Sequence, residues 1–287
     1  MSSPKISVLM TVHNSERHIR MALKSLAEQT FTDFEIIVLE HGSTDSSLSI
    51  LNSWNDERLK LEVLPANIGR TPALNRCLER SSGKYIAILD SDDIADPERF
   101  RLQSNFLDMH QNVGVVGTWS SFIDDLGHRF YEHRPATTHE EILRDLATRN
   151  PFTNSSILYR RELAVEIGGY DPNFLYAQDF DFIVKMARRT EVSILPYLLC
   201  FWRESSTSLT NNALLPLNRL FEEAIILKKV RTQLDLDLTS QTCNRLKLFA
   251  LRMLILLHLV KLRVFVGALL TTFSIPRGRT HYLRTFK

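Results

Sequence analysis

Residues 87–93 read AILDSDD, an apolar run that ends in three carboxylates, Asp90, Asp92 and Asp93. The apolar residues at 85–89 are typical of a buried parallel strand. Carboxylates that follow such a strand lie at its carboxyl end, where open α/β sheets bind ligands. Acids this close repel one another unless a cation binds, and oxygen ligands favour Mg²⁺ or Mn²⁺ bound with a substrate phosphate. We therefore predict a metal site at Asp90 and Asp92.

An alternative interpretation treats these acids as a turn that caps the next helix. Asp96 followed by Pro97 fits it, because Asp is favoured at a helix N-cap and Pro at the first helical position. This interpretation explains Asp96 but neither Asp90 nor Asp92, so the metal site remains the favoured prediction.

Strands and helices alternate along the first 120 residues. The predicted strands are 6–11, 35–39, 59–64, 85–89 and 113–119, and the predicted helices are 16–29, 46–54, 71–80 and 97–110. This alternation predicts βαβ units, and hence an α/β fold with a mostly parallel, Rossmann-like sheet flanked by helices. Residues 11–14, 40–45 and 90–93 then converge on one edge of that sheet.

Six segments form an ordered set of motifs. They are ISVLMTVHN (6–14), LAEQTFTDFEIIVLEHGSTD (26–45), ANIGRTPALNRCLERSSGKYIAILDSDD (66–93), PFTNSSILYRR (151–161), GGYDPNF (168–174) and YAQDFDFIVKMAR (176–188). In order and spacing they resemble the motifs of the family 2 glycosyltransferases, which have the GT-A fold. The resemblance implies a GT-A domain at 1–212, with a nucleotide-binding half to about 120 and an acceptor half at 121–212.

On the donor side, the resemblance implies a role for four residues. Thr11 and His13 lie where the family contacts the nucleobase. Asp92 matches the metal-binding acid of the DxD motif, and Asp90 matches its partner near the ribose.

Three further residues match positions on the diphosphate and acceptor side. Asp179 matches the aspartate that acts as catalytic base in inverting members. Arg70 is a predicted nucleotide or phosphate contact, and Arg203 resembles an arginine of the family that lies near the diphosphate.

Three positions depart from the family's motifs. Glu40-His41 replaces a pair of acids whose second member often contacts uracil, so His41 is a predicted nucleotide contact for which Glu40 could compensate. Gln178 replaces the acid that usually precedes the catalytic aspartate, and Ser205 stands where a histidine is expected after Arg203.

Together these residues predict a metal-dependent, inverting glycosyltransferase. It would move a sugar from a nucleotide-diphosphate donor, with UDP-sugar favoured, to a glycan or lipid-linked acceptor in cell-surface polysaccharide synthesis. One alternative is a catalytically inactive binding or scaffold protein, consistent with the changes at His41 and Gln178. A nucleotidyltransferase is disfavoured because the loop HNSERH (13–18) lacks the glycine-rich, basic character that it needs.

Composition and motif content restrict the cellular compartment and the class of enzyme. The chain has 287 residues and only three cysteines, which predicts a reducing compartment without a disulfide framework. No signal peptide is evident before the first predicted strand, so a cytoplasmic location is expected. P-loop and GxGxxG fingerprints are both absent, which argues against an ATPase or a dinucleotide enzyme.

The C-terminal region at 213–287 is predicted to be helical, basic and apolar. Residues 245–287 contain nine Lys or Arg and no acid. Such a segment favours peripheral binding to an anionic membrane surface, here the inner face of the plasma membrane. The basic positions fall on two sides of a helix, so the alternatives are two short helices, or a helix packed on the enzyme or on a second subunit of a homo-oligomer. Nucleic-acid binding is not expected.

Overall fold

The computed structural model describes residues 3–204 and 215–233. The strands are β1 (Ile6–Val12), β2 (Phe34–His41), β3 (Leu59–Leu64), β4 (Tyr85–Ile88), β5 (Ile94–Ala95), β6 (Val113–Ile123), β7 (Arg129–His133), β8 (Leu158–Arg160) and β9 (Glu191–Arg203). The helices are α1 (Ile19–Ala27), α2 (Ser47–Asn52), α3 (Arg70–Arg80), α4 (Arg99–Met109), α5 (His139–Leu146), α6 (Arg161–Glu166), α7 (Gln178–Ala187) and α8 (Leu215–Gln233). A 3₁₀ turn lies at Asn154–Ser156.

One mixed sheet, with helices packed on it, organises the described residues. Its strand order is β3-β2-β1-β4-β8-β6-β9-β5, and β7 pairs with β6. Strands β3, β2, β1 and β4 are parallel to one another, as are β6 and β9. The predicted α/β class and the GT-A arrangement are confirmed. Strand β8 runs antiparallel between β4 and β6, and its three residues, LYR, lie within the PFTNSSILYRR motif, which resembles the family's acceptor-side strand.

The five predicted strands all form. Three of the four predicted helices are longer than those observed, whereas α3 begins one residue before its predicted start. Helix α1 begins at Ile19 rather than at residue 16 because the preceding backbone bonds elsewhere. The Ser15 N–H donates to Ser47 Oγ at 2.7 Å, and the Glu16 N–H donates to Asp45 at 3.0 Å. These bonds hold the loop after β1 against the loop after β2.

Helix α4 has Glu98 as its N-cap residue and no side-chain cap, so the predicted helix cap is wrong for Asp96. The Asp96 carboxylate accepts the Glu98 N–H at 3.0 Å, and its carbonyl accepts the Arg99 N–H at 3.0 Å. Asp96 therefore forms the turn that leads into α4, which begins at Arg99. The three acids of the AILDSDD stretch take no part in this turn.

A buried arginine supports the end of β4, where the acidic turn begins. Arg99 is fully buried, and its Nη2 donates to the carbonyls of Ile88 and Ile157, each at 3.0 Å. Its Nε donates to Gln103 at 3.0 Å. Burial lowers the pKa of Arg99 to about 10. Because this value is still well above 7, the guanidinium remains charged at neutral pH. Arg99 thereby joins β4 to the segment before β8.

Helix α8 belongs to the same compact unit as the sheet. That unit includes all of the described residues. No helix in the described part of the chain is long and apolar enough to cross a membrane. The basic segment at 245–287 and Ser205 lie outside the described residues, so the membrane, oligomer and domain-boundary assignments stay predictions.

Candidate active site

The AILDSDD stretch ends in a tight turn that is stabilised by hydrogen bonds from the protein interior. The Asp93 N–H donates to the Asp90 carbonyl at 3.2 Å, and the Asp90 N–H donates to Ser155 Oγ at 3.0 Å. Asp93 is 1% exposed and accepts the Arg203 backbone N–H at 2.7 Å. Asp93 therefore has a structural role inside the turn, while Asp90 and Asp92 are more accessible.

Arg203 reaches the turn from the protein interior. It is 1% exposed, and its guanidinium donates to the Asp92 carbonyl at 2.9 Å and to the Asp124 carbonyl at 2.6 Å. These bonds explain why β9 ends in an arginine, because its side chain shapes the turn that presents Asp92. Its direct contact with a diphosphate stays a prediction.

Asp90 is paired with Arg70. Arg70 Nη2 lies 2.5 and 2.6 Å from the two carboxylate oxygens, and Asn154 Nδ2 lies 3.3 Å from one of them. Burial alone would lower the pKa of Arg70, but the charge and hydrogen bonds of Asp90, with smaller contributions from Asp179 and Asp92, raise it. Asp90 is thus already neutralised by a permanent cation.

Asp92 carries the charge that the turn leaves uncompensated. Its carboxylate accepts no hydrogen bond from another side chain of the described residues. Burial and the negative charge of Asp90 raise the pKa of Asp92 to about 6, although Arg70 and Arg203 oppose the shift. A divalent cation would relieve this repulsion.

The described residues contain no cluster of three or more acids, histidines or cysteines able to enclose a metal ion. Mg²⁺ in phosphate-transfer sites usually has one or two protein carboxylates, several waters and the substrate phosphates as ligands. The half-buried Asp92 carboxylate fits that sparse arrangement. Asp90 would fit as a second ligand if Arg70 shared it or turned to the phosphate.

Asp179 lies in the first turn of α7. Its Oδ2 accepts from Asn150 Nδ2 at 3.1 Å, and the side chain is half-buried. A helix N-terminus normally lowers the pKa of a carboxyl group. Here burial outweighs that effect and raises the pKa of Asp179, against the opposing charges of Arg219 and Arg70. A raised pKa makes the carboxylate a stronger base.

Arg70 also reaches α7 through Gln178, which is buried. With its amide turned to satisfy its neighbours, the Gln178 oxygen accepts from Arg70 Nε at 3.2 Å. Arg70 therefore bridges Asp90, next to the predicted metal site, and the residue before the predicted base. The sequence identified Gln178 only as a departure from the family. Asn150 and Asn154, which hold Asp179 and Asp90, were not predicted.

His41 and Glu40 lie buried at the end of β2. The Nδ1–H of His41 donates to Asn67 Oδ1 at 3.1 Å, and the His13 ring stacks on it with centroids 5.5 Å apart. Burial, and secondarily the nearby His13, lower the pKa of His41, so it is neutral at pH 7. Glu40 accepts the Ser43 N–H at 2.6 Å and is committed to its own loop.

The structure brings these residues to the edge where the sequence placed them. His13 also donates from Nδ1 to the His41 carbonyl at 3.2 Å, which ties the ends of β1 and β2 together. Thr11 lies half-buried near the end of β1. A nucleobase role for each of these residues stays a prediction.

Arg219 provides a pH-dependent test of the Asp179 environment. Arg219→Gln removes a positive charge that lowers the pKa of Asp179, so that pKa should rise further. If the ionised carboxylate is the active form, the acidic limb of the pH–rate profile should move to higher pH. Arg70 also lowers the pKa of Asp179, and Asp90 raises it.

The matched control is Arg189→Gln, which removes a charge paired with Glu166 at 3.4 Å. Its pH–rate profile should overlay that of the wild type. An unchanged acidic limb in Arg219→Gln, or a limb moved to lower pH, would show that Asp179 does not control it.

Comparison with known proteins agrees with this geometry. The family model described as "Glycosyl transferase family 2" matches residues 7–168, which is more than half of the chain. This chain belongs to glycosyl transferase family 2. EpsE of Bacillus subtilis is 32% identical over 172 residues, which cover 59% of this chain and 61% of EpsE. The amylovoran biosynthesis glycosyltransferase AmsE of Erwinia amylovora is 29% identical over 205 residues, covering 70% of this chain and 76% of AmsE.

Solved structures show the same fold for this family 2 member. Residues 1–349 of S. aureus TarS, in complex with UDP-GlcNAc, superimpose with a TM-score of 0.69 at 24% identity, covering 86% of this chain and 71% of that one. The mannosyltransferase PcManGT from Pyrobaculum calidifontis, in complex with GDP-Man and Mn²⁺, gives a TM-score of 0.59 at 19% identity, covering 96% and 82%. The chain spans less than two thirds of the length of EpsE.

Proposed function

We propose that this family 2 member is a metal-dependent, inverting glycosyltransferase that transfers a sugar from a nucleotide-diphosphate donor to an acceptor hydroxyl. The observation that carries the proposal is the Arg70 bridge. Arg70 contacts Asp90 at 2.5 Å and Gln178 at 3.2 Å, so the acidic turn and the N-terminus of α7 face one site. One carboxylate there is suited to a cation and the other to a proton.

Asp92, with Asp90 as its neighbour, would hold a Mn²⁺ or Mg²⁺ ion. Such a cation acts as a Lewis acid that stabilises the charge of the departing diphosphate. Arg70, half-exposed beside this turn, would add charge-assisted hydrogen bonds to the phosphate oxygens. Because its charge is permanent, this contribution does not vary with pH in the working range.

Asp179 would act as the general base. Its carboxylate accepts the proton of the acceptor hydroxyl while that oxygen bonds to the anomeric carbon and the bond to the diphosphate breaks. One displacement of this kind inverts the configuration at that carbon. Asn150 orients the carboxylate through the 3.1 Å bond, and the raised pKa increases its affinity for the proton.

The hydrogen-bonding state of the His41 ring indicates which nucleobase this site would bind. Because its Nδ1–H donates to Asn67, the neutral ring leaves Nε2 as an acceptor. An acceptor at this position can replace the family's acid opposite the uracil N3–H. The UDP-GlcNAc complex of the TarS fragment supports a uridine donor by analogy.

Substituting His41 tests the nucleobase assignment. His41→Asp restores the acceptor that the family uses, so UDP affinity should be preserved or strengthened, as measured by titration calorimetry with Mn²⁺. His110→Asp, on the exposed end of α4, is the control for a surface charge. A large loss of UDP affinity in His41→Asp, with a native preference for a purine diphosphate, would contradict uridine recognition.

The relatives' names support a role in building surface polysaccharides. One is named for amylovoran biosynthesis, and WbnJ of Escherichia coli, 27% identical over 179 residues, is named for O-antigen biosynthesis. On this basis the acceptor would be a growing glycan or a lipid-linked sugar. The chemistry requires a free hydroxyl within reach of Asp179.

A screen of nucleotide sugars tests the proposed activity. The full chain is incubated with each donor with and without Mn²⁺, and the released nucleoside diphosphate is measured. Transfer to water should release diphosphate from one donor, with uridine donors favoured, only when the metal is present. Tight donor binding with no turnover, even with glycan acceptors added, would support the scaffold alternative.

A further inference from the structure

Helix α8 contributes a carboxylate to the loop that precedes Asp179. Glu222 Oε1 accepts the Leu175 N–H at 3.0 Å, and Oε2 accepts the N–H groups of Tyr176 and Ala177, each at 2.8 Å. Three consecutive backbone N–H groups thus donate to one side chain that lies 45 or more residues further along the chain. Charge-assisted bonds of this kind are stronger than bonds between neutral groups.

One of these donors, the Ala177 N–H, lies at the start of α7, and the other two belong to the loop just before it. Ala177 is the N-cap residue of α7, and no side chain within that segment caps the helix. Backbone N–H groups at a helix start need an acceptor, and the helix dipole favours an anion there. Glu222, on α8, meets both requirements at Ala177, which lies two residues before Asp179.

The same loop is held from its other side by α3. Thr71 Oγ1 donates to the Phe174 carbonyl at 2.7 Å, and Thr71 follows Arg70 directly. Loop residues 174–177 are therefore clamped between α3, which carries the donor-side arginine, and α8. Of these two contacts, the one from α8 reaches residues 175–177, which are nearer to Asp179 in the chain than Phe174 is.

An ion pair further along α8 shows that this helix packs along α7 rather than touching it once. Lys229 Nζ lies 2.8 Å from Asp181, which is 1% exposed, and 4.5 Å from the centre of the Phe174 ring. Glu222 and Lys229 are seven residues apart, so they lie on one face of α8. That face follows the loop and the first turn of α7.

We propose that Glu222 is a positioning residue that holds the 175–177 loop and thereby sets the placement of the Asp179 carboxylate. This inference rests on the proposed function and assigns α8, which lies beyond the family match at 7–168, to the active site. Small displacements of a catalytic group can cost about 10²-fold in rate. Glu222 touches no reacting atom and acts only through Asp179.

The test uses two substitutions in the full chain, with donor hydrolysis as the activity. Glu222→Ala removes the acceptor from three N–H groups and should lower kcat about 10- to 100-fold, while the Kd for UDP with Mn²⁺ changes less than about twofold. Glu222→Gln keeps one acceptor oxygen without the charge and should retain an intermediate kcat. Glu140→Ala, an exposed glutamate on α5, is the control and should match the wild type.

Chemical rescue separates positioning from general loss of stability. Formate is a small carboxylate that can occupy the three N–H groups vacated in Glu222→Ala. It should restore part of kcat in a saturable manner, with no effect on the wild type or Glu140→Ala. A kcat within twofold of wild type in both Glu222 variants would overturn the inference. A loss of UDP affinity equal to the loss of kcat would also overturn it. A wild type without turnover of any nucleotide sugar would instead overturn the proposed function.

Discussion

Asp179→Asn should lower turnover by at least about 10²-fold while donor and metal binding stay near wild type. The amide keeps the size of the side chain and can still bond to Asn150, so the local structure should persist. It cannot accept the acceptor's proton, so only the chemical step is affected. Single-turnover kinetics and calorimetric titration of UDP with Mn²⁺ measure the two properties separately.

The control is Asn150→Ala, which removes the partner of Asp179 without removing the base. Its turnover should lie between those of the wild type and Asp179→Asn, because the carboxylate is present but less well oriented. If Asp179→Asn loses donor affinity and keeps its turnover at saturation, Asp179 is a donor ligand and the proposed mechanism is wrong.

Asp92→Asn should abolish metal-dependent nucleotide binding and turnover, and it should also stabilise the metal-free protein at neutral pH. The pKa of Asp92 is raised to about 6, so ionisation in the folded state is unfavourable relative to the unfolded chain. Stability of the wild type therefore falls as pH rises from about 4 to about 6. The asparagine variant lacks this titration, so its advantage should appear above that window.

Melting temperatures at pH 5 and pH 8, in EDTA, measure this effect. Because Asp92 is only half-buried, solvent screening limits the gain at pH 8 to about 1 kcal/mol, which corresponds to a few degrees in a domain of this size. Asp96→Asn, in the same segment but outside the site, should lose neither metal dependence nor turnover. Full activity of Asp92→Asn at saturating Mn²⁺ would contradict the metal assignment.

Continuous apolar runs made the nucleotide-binding half predictable. Strands β2 and β4 are buried along their length, and β1 is buried except at Thr11. Their sequences, FEIIVLEH, YIAI and ISVLMTV, are typical of buried strands. Strand β8 could not be predicted in this way, since its three residues pair with β4 and β6 only after the chain has turned back. Its antiparallel pairs, together with those of β5 with β9 and of β6 with β7, make the sheet mixed.

The order of the motifs predicted that the site residues lie at one edge of the sheet. It did not predict the residues to which they hydrogen-bond. Arg70 and Gln178 are 108 positions apart, and Glu222 is 45 or more from the N–H groups that it binds. No local pattern encodes such contacts, which depend on how helices pack. The burial of His41 is similar, because a histidine after a strand gives no sign that its ring donates to Asn67.

One measurement tests the central claim that metal binding and proton transfer belong to separate carboxylates. UDP binding is titrated with and without Mn²⁺ in the wild type, Asp92→Asn and Asp179→Asn, and diphosphate release from the active donor is measured in the same samples. We expect metal-dependent binding in the wild type and Asp179→Asn, its loss in Asp92→Asn, and turnover in the wild type alone. Metal-independent UDP binding in the wild type, or turnover that survives either substitution, would contradict the claim.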